Sequence, residues 1–262
     1  MEISSPSNPR IKALAKLSER KERERTGLFL VEGAREVSRA LGAGLEFQEL
    51  FFANDLNAEE GELHGSLVSR LLPPVTRLSA AALGKLSSRE NPAGVIGVAR
   101  LPGRSLLEFD PPPNALVLVL VGLEKPGNLG AILRSADAAG ADAVLAVGGV
   151  DLWSPQTIRN STGVVFSLPV FAPAEAEARA WLLRHQIPLL ATTPHTPHTY
   201  WDADLRRVVA VLLGTEHEGL SGEWLEAAHH KVSIPMRGVA DSLNVSVTAA
   251  LVLFEAARQR RG

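Results

Sequence analysis

Residues 115–123 read ALVLVLVGL, and this run constrains the fold more than any other stretch of the 262-residue sequence. A strand wetted on one face alternates apolar and polar side chains. An unbroken apolar run predicts a strand covered on both faces, as in a parallel sheet with helices on either side. The chain beyond it has the matching rhythm: a helix over 129–139, a strand at AVLAVGG (143–149), and a helix from SPQTIRNS (154–161) with Ser154 as N-cap and Pro155 in its first position. Strands are predicted at PLLATT (188–193), VVAVLLG (208–214) and KVSIP (231–235), with helices between them and a last helix over 245–260. Strands alternating with helices call for a mostly parallel sheet.

A smaller α/β unit precedes this series. LFLVEG (28–33), FQELFFA (47–53) and GVIGVARL (94–101) read as strands, AREVSRAL (34–41) and EEGELHGSLVSRL (59–71) as helices. PGRSLLEFDPPPN then interrupts both patterns, because three consecutive prolines continue neither a helix nor a central strand. The expected division is 1–102, a linker at 103–113, and 114–262. Near the N-terminus, residues 9–25 carry seven basic and three acidic side chains over a helical apolar stripe of Ile11, Leu14, Ala15 and Leu17. This predicts a surface helix with a basic face, although an ordinary solvated helix accounts for it as well. The whole chain has a formal charge of −2, so it is no polycation, and only a local patch is left to meet nucleic acid.

Cysteine is absent, which excludes disulfides, thiolate nucleophiles, Cys-bound zinc and iron–sulfur clusters. The start, MEISSPSNPR, lacks the apolar stretch of a signal peptide. The apolar run Ala115–Val121 is far short of the roughly 20 residues that cross a bilayer. No membrane partner and a cytoplasmic location are expected. His195 and His198 have no acidic or Cys ligands spaced around them, so no metal site is expected.

Three segments carry candidate chemistry. GLEKPGNLGAILRSADAAG (122–140) places glycines after a buried strand and before a helix, which brings backbone N–H groups close to a ligand. The dinucleotide fingerprint G-x-G-x-x-G and the phosphate loop are both missing, which weakens a nucleotide-dependent oxidoreductase. Asn128 opens the helix, and Arg134 lies six residues on among small and apolar neighbours. A structural ion pair and an anionic substrate account for that arginine equally well. LLGTEHEGLS (212–221) brackets Thr215, Glu216, His217 and Glu218 with Gly214 and Gly219 after another buried strand. IPMRGVADSLNVSVTAA (234–250) leads into the last helix with Ser242, Asn244, Ser246 and Thr248, when one capping side chain suffices. The surplus polar groups are expected to meet a polar ligand.

Together, NLGAILRSADAAG, LLGTEHEGLS and IPMRGVADSLNVSVTAA resemble, in order and spacing, the three signature motifs of the SpoU (TrmH-type) RNA ribose 2′-O-methyltransferases of the SPOUT superfamily. RTGLFLVEGAREVSRAL and NPAGVIGVA are similar to the RNA substrate-binding domain that often precedes them. The resemblance implies a parallel α/β domain with a deep trefoil knot, S-adenosylmethionine as cofactor and a homodimer through the knotted domain. It also implies methyl transfer to a ribose 2′-hydroxyl of structured RNA, with ribosomal RNA favoured over tRNA. A tRNA enzyme and a non-catalytic knotted RNA-binding protein are the alternatives. Carried over residue by residue, it implies catalytic roles for Asn128, Arg134, Glu216, Ser242 and Asn244. Cofactor contacts are implied at Thr192, Leu213, Gly214, Glu216, Gly219, Ile234, Met236, Leu243 and Asn244. RNA contacts are expected at Arg10, Lys12, Lys16, Arg20, Lys21, Arg35 and Arg159. The sequence departs from the family pattern at His217, where a small residue is common, and at Asp241, where glutamate is common.

Overall fold

A computed structural model describes residues 2–69, 73–215 and 218–261. The elements in chain order are β1 (Glu2–Ile3), α1 (Pro9–Ala15), α2 (Arg20–Thr26), β2 (Leu28–Glu32), α3 (Ala34–Gly42), β3 (Phe47–Ala53), α4 (Ala58–Ser69), β4 (Val75–Leu78), α5 (Ala80–Leu86) and β5 (Val95–Arg100). Next come β6 (Leu116–Val121), α6 (Pro126–Ala139), β7 (Ala143–Val147), α7 (Pro155–Asn160), α8 (Val164–Ser167), β8 (Val170–Phe171), α9 (Glu175–Arg184), β9 (Leu189–Thr192), β10 (Val209–Leu213), α10 (Gly222–Ala227), β11 (His230–Val232) and α11 (Val245–Arg260). They form two compact units, Met1–Gly103 with Asp151–Ser167, and Arg104–Val150 with Leu168–Gly262.

The first unit holds a five-stranded sheet in the order β1-β4-β3-β5-β2. It is mixed: β5 runs antiparallel to both β2 and β3, and the other pairs are parallel. The short β1 and β4 and helix α5 add to the elements legible in the sequence. The basic stretch is not one helix. Its first part ends at Ala15, and Glu19 adopts an extended conformation (φ −89°, ψ 132°) before α2 begins. Arg23, counted with the basic face, is 2% exposed. It donates through Nη1 to the carbonyls of Leu17 and Ser18, both at 2.8 Å, and through Nη2 to Asp151. A buried guanidinium needs such an ionic and fully bonded environment.

Asp151 begins the segment that joins this unit from far along the chain, within the stretch that the sequence pattern assigns to 114–262. Three aromatic rings help to explain why it packs there. Trp153 and Phe166 stack with centroids 6.4 Å apart, and both meet the buried Phe29 of β2, at 5.5 and 6.1 Å. Arg39 of α3 also donates to the Thr162 carbonyl at 2.7 Å and to its hydroxyl at 2.9 Å.

The second unit is built on a six-stranded sheet, β11-β9-β10-β6-β7-β8, in which every pair is parallel. The residues of β6 from Leu116 to Leu120 are at most 1% exposed, as the apolar run requires. Trp181 of α9 and Trp224 of α10 fill part of the core on one face, while α11 packs against α6. α6 starts at Pro126, earlier than the sequence pattern suggests, because proline's fixed φ suits the first helical position. β11 stops at Val232, short of the predicted 235; Ser233 instead bridges to Thr199.

Strand order places the site. From β6 the chain first builds outward through β7 and β8, then crosses to β9 and returns to insert β10 beside β6. The direction of winding therefore reverses between β6 and β10. At such a reversal the loops leaving the two strands part, and a crevice opens outside their carboxyl ends.

Candidate active site

The loops after β6 and β10 meet in this crevice. Gly122, with φ at +70°, lies against Thr215, and a Cβ built on it would stand 2.8 Å from Thr215 Cγ2. Gly214 is tighter still: an added Cβ would come within 3.0 Å of the carbonyl group of Gly219 and the nitrogen of Leu220. The loop 215–219 closes by two main-chain hydrogen bonds between Thr215 and Gly219, at 3.1 and 3.2 Å. Gly219 itself has positive φ (+69°), and the space where its side chain would go is open. Beside them, Thr192 at the end of β9 donates its hydroxyl to the Leu212 carbonyl at 2.9 Å. Glu216 and His217 lie outside the described residues.

After β11 the chain takes no regular structure from Ile234 to Leu243. Among the described residues, no backbone hydrogen bond joins the main chain of 234–243 to another segment. Ile234 and Leu243 are half-buried and Met236 is 38% exposed. Main-chain donors and acceptors flanked by apolar side chains suit a planar heterocycle with polar edges, since unpaired backbone groups otherwise need solvent or a ligand. The set at 192, 213–215, 218–219 and 234–243 therefore fits a nucleoside-like cofactor.

Asn244 ends this loop as the N-cap of α11. Its Oδ1 accepts from the main-chain N–H of Ser246 at 2.9 Å and from the Ser246 hydroxyl at 2.6 Å. Its Nδ2 donates to Oδ1 of Asn128, in the first turn of α6, at 3.2 Å. The structure thus joins two site residues 116 positions apart and draws together the N-termini of two packed helices. Asn128 is half-buried, whereas Ser242, Asn244 and Arg134 are exposed. This corrects one sequence-based expectation: the surplus polar groups before α11 are not buried groups in want of partners. Asn244 caps, Ser246 completes the cap, and Ser242 approaches Asp241, at 3.5 Å. Arg134 has no ion pair or hydrogen bond among the described residues. The structural ion pair weighed for it is not formed there.

Of the expected RNA contacts, Lys12, Lys16, Lys21, Arg35 and Arg159 are exposed in the first unit. Arg10 is tied to the buried Glu49, Arg20 to Glu24 at 2.7 Å and Arg35 to Glu36 at 3.0 Å. Sequence reasoning gave no role to Gly122 or Thr215, whose approach depends on strand order. It saw Ser246 without giving it a role; the signal was its place two residues after a capping asparagine.

A parallel sheet with glycine-lined loops and two polar helix starts at its switch point defines an α/β protein that binds a polar ligand outside the carboxyl ends of its strands. This chain belongs to the SpoU rRNA Methylase family, which it matches over residues 115–254, and residues 8–97 match the MRM3-like substrate binding domain. It is 33% identical to the 23S rRNA (uridine(2479)-2'-O)-methyltransferase of Streptomyces viridochromogenes over 94% of this chain and 88% of the relative. Among solved structures it is similar to an RNA 2'-O ribose methyltransferase (TM-score 0.89, 58% identity, 99% of each chain). It is also similar to the SpoU methyltransferase AviRb of Streptomyces viridochromogenes in complex with AdoMet (TM-score 0.88, 32% identity, 97% of this chain and 98% of that one).

Proposed function

We infer that this protein transfers a methyl group from S-adenosylmethionine to the 2′-hydroxyl of a ribose in 23S ribosomal RNA. The observation that carries the reading is the switch-point crevice, where glycine-lined loops and a main chain with no backbone partner among the described residues adjoin the Asn128–Asn244 pair. The whole-chain likeness to 23S rRNA 2′-O-methyltransferases supplies the substrate. Thr192, Leu213, Gly214, Gly219, Ile234, Met236, Leu243 and Asn244 would hold the cofactor, with Glu216 assigned to the same loop from the family motif. When bound, S-adenosylmethionine supplies an electrophilic methyl group on a sulfonium.

A ribose hydroxyl is a weak nucleophile and must be oriented and relieved of its proton. Arg134 cannot act as the base, because a guanidinium stays protonated in proteins. Its role is to bind the phosphate next to the target ribose and to stabilise negative charge developing on the 2′-oxygen, while a phosphate oxygen or water takes the hydroxyl proton. Asn128, Ser242 and Asn244 orient the ribose, with Glu216 placed beside them on the family pattern.

In this reading residues 1–102 bind RNA by shape and phosphates, using Lys12, Lys16, Lys21 and Arg35, with Arg10 and Arg20 at the margin of that surface. Residues 103–113 link them to the methyltransferase domain 114–262; Arg159, from the segment of it that packs with the first unit, also contacts RNA. The knot is proposed because the chain leaves the sheet edge at β11 and returns to lay α11 on α6, beyond β9 and β10. A homodimer through this domain is supported by Val247, Leu251 and Phe254, exposed at helical spacing on α11. No described helix is long and apolar enough to cross a membrane, and a cytoplasmic location is proposed.

The test is transfer of radiolabelled methyl groups to unmodified total RNA by the wild type, Arg134→Lys and Arg134→Ala. Label in 23S rRNA at an alkali-resistant ribose is expected from the wild type. The two variants are expected to bind cofactor normally and to lose most turnover. Undiminished turnover by Arg134→Lys contradicts the role given to the guanidinium, and label confined to tRNA moves the substrate.

A further inference from the structure

We infer that Ser246 and Asn244 fix the direction in which the Asn128 amide faces the RNA, through a run of donors from Ser246 to Asn244 to Asn128. The run makes Asn128 a hydrogen-bond donor, through Nδ2, to an oxygen of the target ribose or its phosphate. Ser246 is thereby a positioning residue. The inference rests on the methyltransferase reading above.

The two ends of an amide side chain have almost the same shape, so only their partners determine which way round it sits. Here a main-chain donor sets it. The main-chain N–H of Ser246 can only donate, and it lies 2.9 Å from one end of the Asn244 amide. That end must be the oxygen, and the Ser246 hydroxyl donates to the same atom at 2.6 Å. The NH2 of Asn244 is therefore the group that meets Asn128, 3.2 Å away, and what it meets must be the Asn128 oxygen. The Asn128 oxygen is thereby held on the side of Asn244, and its NH2 lies on the other side of the amide. For a reaction that builds negative charge on an oxygen, a donor in this place stabilises and an acceptor repels. The direction originates in the cap of α11, because a main-chain N–H cannot reverse its polarity. The cap of one helix thus sets the chemistry presented by the first turn of another. This explains why the polar run before α11 continues past the capping residue to Ser246.

Asn244→Asp separates this role from simple capping. Aspartate caps a helix as well as asparagine does, so the fold is retained. Its carboxylate, however, has no hydrogen to give the Asn128 oxygen, and the Asn128 amide turns over to donate toward Asp instead. The expected result is an unchanged melting temperature and kcat lower by roughly 10- to 100-fold. Ser246→Ala keeps the main-chain donor, and so the direction, but removes the hydroxyl that holds the Asn244 amide in place; it is expected to lower kcat several-fold, with recovery in Ser246→Thr, which keeps the hydroxyl. Folded Asn244→Asp with wild-type kcat overturns the inference, and so does Ser246→Thr as impaired as Ser246→Ala. If the wild type itself methylates no RNA, the enzymatic reading fails, and the side-chain amide NMR spectrum still decides the run of donors. The Asn128 NH2 signals are expected to move in Asn244→Asp and Ser246→Ala and to stay in place in Ser246→Thr; signals unmoved in all three overturn it.

Discussion

Replacing Gly214 by alanine tests whether the loop after β10 is shaped by close backbone approach. The added Cβ would come within 3.0 Å of three main-chain atoms, the carbonyl carbon and oxygen of Gly219 and the nitrogen of Leu220. Ordinary carbon contacts need about 3.5–4.0 Å, so one side of the loop must retreat by well over 1 Å. No flexible side chain is there to give way. Gly214 comes directly after β10, which is paired on both sides, and the loop is closed by the two Thr215–Gly219 hydrogen bonds. Overpacking of this kind costs about 1–3 kcal/mol. If the loop moves and the sheet does not, the cost appears in cofactor binding as a loss of about 5- to 150-fold in affinity. If the sheet absorbs it, the melting temperature falls by about 2–12 °C. Calorimetric titration with S-adenosylmethionine and a thermal melt, run together, capture both outcomes. Gly222→Ala is the control, because an added Cβ at the start of α10 meets nothing within 4 Å. Wild-type affinity together with a melting temperature within about 1 °C of wild type would falsify the claim that position 214 requires glycine for space.

Asp151→Ala leaves the buried Arg23 guanidinium without its carboxylate and is expected to destabilise the first unit by about 3–5 kcal/mol, read from its denaturant midpoint. On α11, hydrogen bonds from Arg258 hold the Glu255 carboxyl down to about 2, from an ordinary value of 4.5. A depressed carboxylate stabilises the fold above its unfolded pKa, and this contribution is lost as pH falls from 4.5 toward 2. Glu255→Gln is therefore expected to flatten stability against pH in that window and nowhere above it, as urea melts from pH 2 to 7 will show. Phe254→Glu places a charge in the exposed apolar stripe of α11 and is expected to convert a dimer to monomer in sedimentation; an unchanged dimer places the interface elsewhere.

Much of the fold was legible in the sequence because periodicity reports local burial directly. The apolar run at β6, Pro155 and Ser154 opening α7, and the extent of α11 all derive from side chains a few positions apart. β1 and β4 escaped because they are two and four residues long, too short for a period of two to register. The basic stretch misled for a related reason. Charge patterning marks Arg23 as solvent-facing, and only Asp151, 128 positions away, makes its burial tolerable. Gly214, Gly219, Asn128 and Asn244 were singled out from glycine-bracketed turns, a helix start and the polar run before α11, with roles implied by the motif resemblance, but the reason given for the polar run was incomplete. Burial was expected where the structure shows capping and an amide pair.

The sequence by itself determined that the larger unit is a parallel α/β sheet, that a polar cap begins its last helix, and that glycines come after its buried strands. Each is a property of a short window, where backbone conformation and burial are set by the residues themselves. Only the tertiary structure decided that β10 inserts between β9 and β6, that Gly122 lies against Thr215, that residues 151–167 pack with the first unit, and that Asn244 donates to Asn128. These depend on which distant segments close on one another, and many pairings satisfy the same local pattern. The free energy that selects among them comes from complementary packing and from pairing each polar group, quantities that exist once the whole chain is folded.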